Sequence, residues 1–455
     1  MKRVSSFALM LTFSLALCAA VNVGARGQAG VRPRAAQEPE KEPNGKGSAE
    51  TVKVPEAQRL YEEAAQYAQH KFDEFQKQQL PYDRLLEQKV LQEQKDLALQ
   101  NAARLAARAP LRGIDLYYSG LLYSLAGKGE GALDSMRKFL ADTEPAPADF
   151  KQRARSVTAQ QAAQLGLTEE AQSALADYTK AEPRNVADLH RMNLLLAAAY
   201  VKKKDFASAA APAGDAYTAA LEYARTANDP VQRDSTIFGA GSFYSNVLVR
   251  AGRRAEGLRV AQEMRARAFA LPSARLYSQA TELILRQGEP FGPPPEVAGL
   301  EPPASPELTV AELIGQGPVK LSELRGKVVL LDFWATWCTY CVKTMPRLNA
   351  LHHKYKDRGL VIIGINEFEG NIEGQPATRA QELAYFRQFK RRMNVTYDFA
   401  VAADARNAAP YGVSGLPTAV LIDRRGRVRF LTIGASDEEA ELLQKMILKL
   451  LDEPQ

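Results

Sequence analysis

The ten residues DFWATWCTYC, Asp332 to Cys341, hold two of the chain's three cysteines and both of its tryptophans. Cys338 and Cys341 stand one helical turn apart, so their sulfurs share a face and can close a disulfide. A pair so spaced suits thiol–disulfide exchange. One sulfur attacks a disulfide, and the other waits within reach to displace whatever the first has captured. Zinc would need two more ligands, and the nearby candidates are His352 and His353, which read as exposed helix residues. No metal and no cofactor is expected.

The elements that must position the pair are legible around it. Lys327 to Phe333, KVVLLDF, is a nearly unbroken apolar run of the kind that forms a buried central strand. It leads straight to the cysteines and then to CVKTMPRLNALHHKY, a helical pattern interrupted at Pro346. Cys338 is therefore expected in the first turn of a helix, where unpaired N–H groups and the dipole favour a thiolate.

The third cysteine, Cys18, lies in a different kind of segment. Lys2 and Arg3 precede an apolar run from Phe7 to Leu17, and small residues follow to Ala25. Residues 1–25 are expected to be a cleaved signal peptide, with a retained membrane anchor as the alternative. Leu15-Ala16-Leu17-Cys18 resembles a lipobox, against which the bulky Leu17 counts. Cleavage would leave one local cysteine pair in an oxidising compartment, and such a pair is more often chemical than structural.

The 455 residues exceed the usual length of one domain, and 46% hydrophobic with 25% charged is a soluble globular composition. The net charge of +6 comes from Lys and Arg interleaved with acids, so nucleic acid is not an expected partner. Residues 26–50 carry Pro, Gly and charge with few apolar residues, which predicts a flexible tether. Residues 51–287 read as an α-helical domain. Within it a degenerate tetratricopeptide-like array over roughly 110–270 is marked by Gly120, Tyr123 and Ala132, by Ala171, Leu175 and Pro183, and by Ala197, Tyr200 and Ala209. NVLVRAGRRAEGLRV is a poorer fourth copy, and an irregular helical bundle is the alternative. Residues 288–307 form a proline-rich linker, which suggests a spacer between separately folded units. From 308 to 455 strand and helix patterns alternate, the mark of a layered α/β domain.

KLSELRGKVVLLDFWATWCTYC and, further on, APYGVSGLPTAVLIDRRGRV resemble the extracytoplasmic TlpA/ResA-like thiol–disulfide oxidoreductases of the thioredoxin superfamily. The resemblance covers about residues 305–452 and implies a thioredoxin-fold α/β domain. By it, Pro346 corresponds to the proline that kinks the active-site helix. Gly415-Leu416-Pro417-Thr418 matches the family's cis-proline loop, where the backbone of Leu416 would pair with an extended substrate. The expected substrate contacts are Trp337, Thr339, Tyr340, Leu416 and Pro417. Asp332 matches a buried acid that would take the proton of Cys341, as against a strand-end Asp that caps the next turn.

Two departures leave the direction of electron flow open. Thr344 stands where many cytochrome-maturation relatives carry an acid, and Tyr340 replaces the usual proline, so that CTYC is reminiscent of bacterial disulfide isomerases. Reduction of protein disulfides in the periplasm is the first expectation, with an isomerase or oxidant, or a binding scaffold with a passive module, as alternatives. Expected partners are proteins bearing thiols or disulfides, a membrane or extracytoplasmic electron donor, and a protein on the helical repeats. Glu367 and Glu369 lie where the resemblance implies an insertion relative to plain thioredoxin; they are read as solvated loop residues, with an approach of either to the disulfide as the alternative.

Overall fold

The computed structural model describes residues 55–81, 83–290, 292, 304–317 and 320–454. The expected signal peptide, the tether and most of the proline-rich stretch lie outside the described residues.

Among the described residues eleven helices come first: α1 (Glu56–Lys77), α2 (Arg84–Ala106), α3 (Gly113–Leu125), α4 (Gly129–Ala141), α5 (Ala148–Gln164), α6 (Thr168–Thr179), α7 (Val186–Lys202), α8 (Phe206–Ala224), α9 (Pro230–Arg250), α10 (Arg254–Ala270) and α11 (Ala274–Arg286). Neighbours in sequence pack as hairpins. Four hairpins carry a buried pair of small residues with the same twelve-residue spacing: Gly120 with Ala132, Ala159 with Ala171, Ala197 with Ala209, and Ser245 with Gly257. These mark where the helices approach most closely. A Cβ on Gly120 would lie 2.7 Å from Met136 Cε, and one on Gly257 would lie 2.7 Å from the Ser245 carbonyl. Ser245 Oγ also donates to the Gly257 carbonyl across the fourth crossing, at 2.8 Å.

The remaining chain builds the α/β part. Its elements are β1 (Glu312–Ile314), β2 (Val328–Phe333), α12 (Thr339–Tyr355), β3 (Leu360–Glu367), β4 (Asn371–Ile372), β5 (Gln375–Pro376), α13 (Arg379–Arg392), β6 (Asp398–Ala402), β7 (Thr418–Ile422), β8 (Val428–Ile433) and α14 (Asp437–Asp452). Six strands form one sheet in the order β1-β6-β3-β2-β7-β8, and β4 pairs with β5 separately. β2 runs parallel to β3 and antiparallel to β7. All of its residues are buried, Asp332 among them, which accounts for the nearly unbroken apolar run: a central strand covered on both faces has no solvent-facing side. This is a mixed thioredoxin-fold sheet preceded by a region of many helices.

The proline-rich stretch suggested separately folded units, but the helices pack directly on the sheet. α10 and α11 lie against β8, where the Tyr277 ring sits 5.9 Å from that of the fully buried Phe430. One apolar cluster runs from Ala197 in α7 to Leu451 in α14. The physical reason is burial. Phe269, Tyr277, Val428 and Phe430 would each expose apolar surface if the two parts stood apart.

Candidate active site at the carboxyl end of β2

β2 delivers the chain to a short link, Trp334 to Trp337, and α12 begins at Thr339. Cys338 is the residue that caps this helix: its Sγ accepts the Cys341 N–H at 3.2 Å. The two cysteines form a disulfide of 2.07 Å. Cys341 is fully buried and Cys338 is 6% exposed, so Cys338 is the outer sulfur. Trp337 and Tyr340 flank it and are 66% and 65% exposed, a rare placement for large rings and an apolar lip for an incoming chain. Thr339 is exposed beside them. Lys343 holds its ammonium 5.5 Å from the Tyr340 ring centre and adds a cation to the first turns of α12, whose first turn has no acid. Thr344, where an acid was the family alternative, instead donates from Oγ1 to the Cys341 carbonyl at 2.8 Å.

The two tryptophans do different work. Trp334 is buried between Phe389 and Phe399, with ring centres at 5.1 and 4.6 Å, and anchors the link to the sheet. Trp337 faces outward, and its Nε1 donates to Glu369 Oε1 at 2.7 Å. Glu369 is exposed, as its sequence context implied, yet the insertion that carries it touches the site. Its loop is held by Glu382, a buried carboxylate that accepts the N–H groups of Glu369 and Gly370 at 2.8 and 3.1 Å. Sequence reasoning missed Glu382, which looks like one more charge on α13. Burial, reinforced by Glu369 and Asp404, raises the Glu367 carboxyl above its ordinary range. Glu369→Ala should free the Trp337 indole at a stability cost of about 1 kcal/mol or less. A solvent-shifted tryptophan emission, with Trp334 as the unchanged internal reference, checks this.

Asp332 sits in β2 with Gly364 of β3 on one side and Ala419 of β7 on the other. It is 2% exposed, and its Oδ2 has no hydrogen-bond partner among the described residues. Burial pushes its carboxyl up to about 7. It lines a cavity of about 50 Å³ together with Thr344, Leu348, Pro417, Thr432 and Glu439. That space can hold water, and Thr344 brings the turn carrying Cys341 to its edge.

Phe333 stands in register with Thr418, so the cysteine link and Pro417 leave the sheet at the same end. The Leu416–Pro417 peptide is cis. Neither backbone group of Leu416 is bonded to another described residue. The structure therefore gathers Asp332, Trp337, Cys338, Thr339, Tyr340, Cys341, Leu416 and Pro417 around one end of the sheet.

Comparisons with known proteins place the α/β part in a known family. The AhpC/TSA family matches residues 304–431. Thiol-disulfide oxidoreductase ResA of Bacillus thuringiensis (strain Al Hakam) is 33% identical over 135 residues, which are 30% of this chain and 70% of the relative. The chain belongs to the ResA-related thiol–disulfide oxidoreductases. Protein DipZ of Mycobacterium bovis is 33% identical to this oxidoreductase over 123 residues, 27% of the chain and 17% of DipZ. Among solved structures, a thiol-disulfide isomerase from Corynebacterium glutamicum matches with 24% identity and a TM-score of 0.29. That match covers 33% of this oxidoreductase and 98% of the other chain. The matched family region begins at residue 304, after the helices.

Proposed function

We propose that this enzyme is an extracytoplasmic reductase of protein disulfides, with Cys338 as nucleophile, Cys341 as resolving thiol and Asp332 as proton acceptor. The supporting observation is the asymmetry of the pair: Cys338 faces an apolar lip and Cys341 is sealed behind it.

The Cys338 thiolate attacks one sulfur of a substrate disulfide, forming a mixed disulfide and expelling the other sulfur as a thiolate. Cys341 passes its proton to the Asp332 carboxylate and attacks Cys338 Sγ. That closes the Cys338–Cys341 disulfide and releases the second substrate sulfur as a thiolate. Asp332 then loses its proton to the solvent. A dithiol donor, membrane-bound or extracytoplasmic, must reduce the pair again. Trp337, Thr339 and Tyr340 would receive the substrate on one side of Cys338, with Leu416 and Pro417 on the other. The twelve-residue spacing of small crossing residues supports a tetratricopeptide-like array that would recruit a protein partner. Among the described residues no helix is long and apolar enough to cross a membrane; the signal peptide remains the proposed route out of the cytoplasm.

The experiment is timed alkylation of the fully reduced, folded protein at pH 7, with peptide mapping. Cys338 should react about tenfold faster than an ordinary thiol, whose thiolate fraction there is only a few per cent, and Cys341 should lag far behind. Equal, sluggish labelling of both would refute the proposal. The lysine at 343 favours a second reading, an isomerase or oxidant, because a cation near the thiolate stabilises the reduced pair. A reduction potential near that of thioredoxin supports the reductase, and one near that of the isomerases supports the alternative.

A further inference from the structure

The segment that carries Leu416 and Pro417 is held from outside the thioredoxin fold. A tight turn at Ala409–Tyr411 ends at Gly412, whose φ of +57° lies in the left-handed region. On one side the fully buried Tyr411 ring packs 5.6 Å from Phe333, the last residue of β2. On the other side Gly412 meets the helical region. Its carbonyl accepts the Arg275 N–H at 2.9 Å. That N–H belongs to the first turn of α11, where no intrahelical acceptor exists, so the redox part supplies the missing bond. A Cβ on Gly412 would lie 2.7 Å from Ser273 Oγ and 3.0 Å from Ser273 Cα.

Ser273 is fixed in turn. It is fully buried and caps α11 by accepting the Leu276 N–H at 3.0 Å. It also donates to Asp234 Oδ2 at 2.5 Å. Asp234, on α9, is 1% exposed and ion-paired to Arg233 at 2.8 Å. Arg233 also donates to the Leu271 carbonyl at 3.1 Å. From Gly412 only Val413 to Gly415 intervene before Leu416. Val413 N–H is bonded to the Ala408 carbonyl, and the Gly415 carbonyl is bonded to Thr418 Oγ1 at 2.7 Å. Little slack separates the Asp234–Ser273 corner from the proposed substrate strand.

We infer that the helical region is a structural part of the redox site: Ser273 and the Arg275 N–H are positioning groups that hold Gly412, and through it the Leu416 backbone, where a substrate strand must pair. The inference deepens the proposed function and rests on that reading of Leu416. It also separates two classes of substrate. A small thiol needs only the outer sulfur, whereas a peptide disulfide also needs the strand beside it.

The test uses the full chain with Gly412→Ala, which drives a methyl into Ser273, and Arg275→Pro, which deletes the one N–H at a helix start where proline is tolerated. Gly120→Ala, crowding Met136 at the far α3–α4 crossing, is the control for general destabilisation. Amide hydrogen exchange at 412 and 413, whose N–H groups are bonded to the Ala409 and Ala408 carbonyls, should quicken in both interface variants and stay at the parent level in the control. Exchange with an extended peptide disulfide should fall about tenfold, because small misplacements at a reacting centre carry large rate costs, while reduction by dithiothreitol stays within about twofold. Unchanged amide exchange in both interface variants, or equal quickening in Gly120→Ala, overturns the inference. A parent protein that reduces no peptide disulfide would defeat the proposed function instead, and the amide-exchange comparison would still decide this one.

Discussion

Replacing Cys341 by serine is expected to turn the protein from a catalyst into a trap. The Cys338 thiolate would still open a substrate disulfide, but the sulfur that closes the cycle would be gone. Intramolecular resolution by a group one helical turn away enjoys an effective concentration far above that of any free thiol. Its loss should lengthen the life of the mixed disulfide by about three orders of magnitude at submillimolar free thiol. Non-reducing electrophoresis with mass spectrometry of the captured proteins reads the result. Cys338→Ser should capture nothing, because Cys341 is fully buried behind it. Equal capture by both variants would reverse the proposed roles. Partners retained by the helices alone, whatever the state of the cysteines, would favour a binding scaffold over a reductase.

The second large effect belongs to Asp332. An exposed aspartate in the unfolded chain titrates near 4, whereas burial holds this one at about 7 in the folded, oxidised protein. Between those values the folded state keeps a proton that the unfolded chain has lost, so stability falls as pH rises from about 4 to about 7 and is level above. The full span is worth about 4 kcal/mol. An asparagine in its place would carry no such cost. Asp332→Asn should therefore unfold at distinctly higher denaturant concentration than the parent at pH 8, and the difference should shrink to near zero at pH 4. Guanidinium unfolding of the oxidised proteins at the two pH values checks the sign. The same substitution should slow resolution of the mixed disulfide near neutral pH, since Cys341 loses its proton acceptor. Single-turnover kinetics that match the parent across pH 6–9 would remove Asp332 from the mechanism.

Much of this was legible because it is local. The spacing of Cys338 and Cys341, the nearly all-apolar strand before them and the helix after them are written within about thirty consecutive residues. The close crossings at Gly120, Ala132, Ala197 and Ala209 were visible too, since a hairpin places its small residues at a fixed offset. What the chain hid is long-range. Trp337 meets Glu369, and Glu369 is held by Glu382, only because a folded loop returns to the site. Nothing in the neighbourhood of either glutamate distinguishes it from a solvated acid. The proline-rich stretch pointed to independent units because composition reports local stiffness and is silent on what lies across the interface. The pairing of Tyr277 with Phe430, and of Arg275 with Gly412, spans more than 130 residues and leaves no periodic trace.

The uninterrupted apolar cluster from α7 to α14 has a thermodynamic consequence. Melting either half would strip the cover from the other and add the free energy of that bared surface to the cost. The helices from α7 to α11 and the sheet thus behave as one cooperative folding unit, in which a lesion in α10 or α11 lowers the melting point of the dithiol domain as surely as one in its own core.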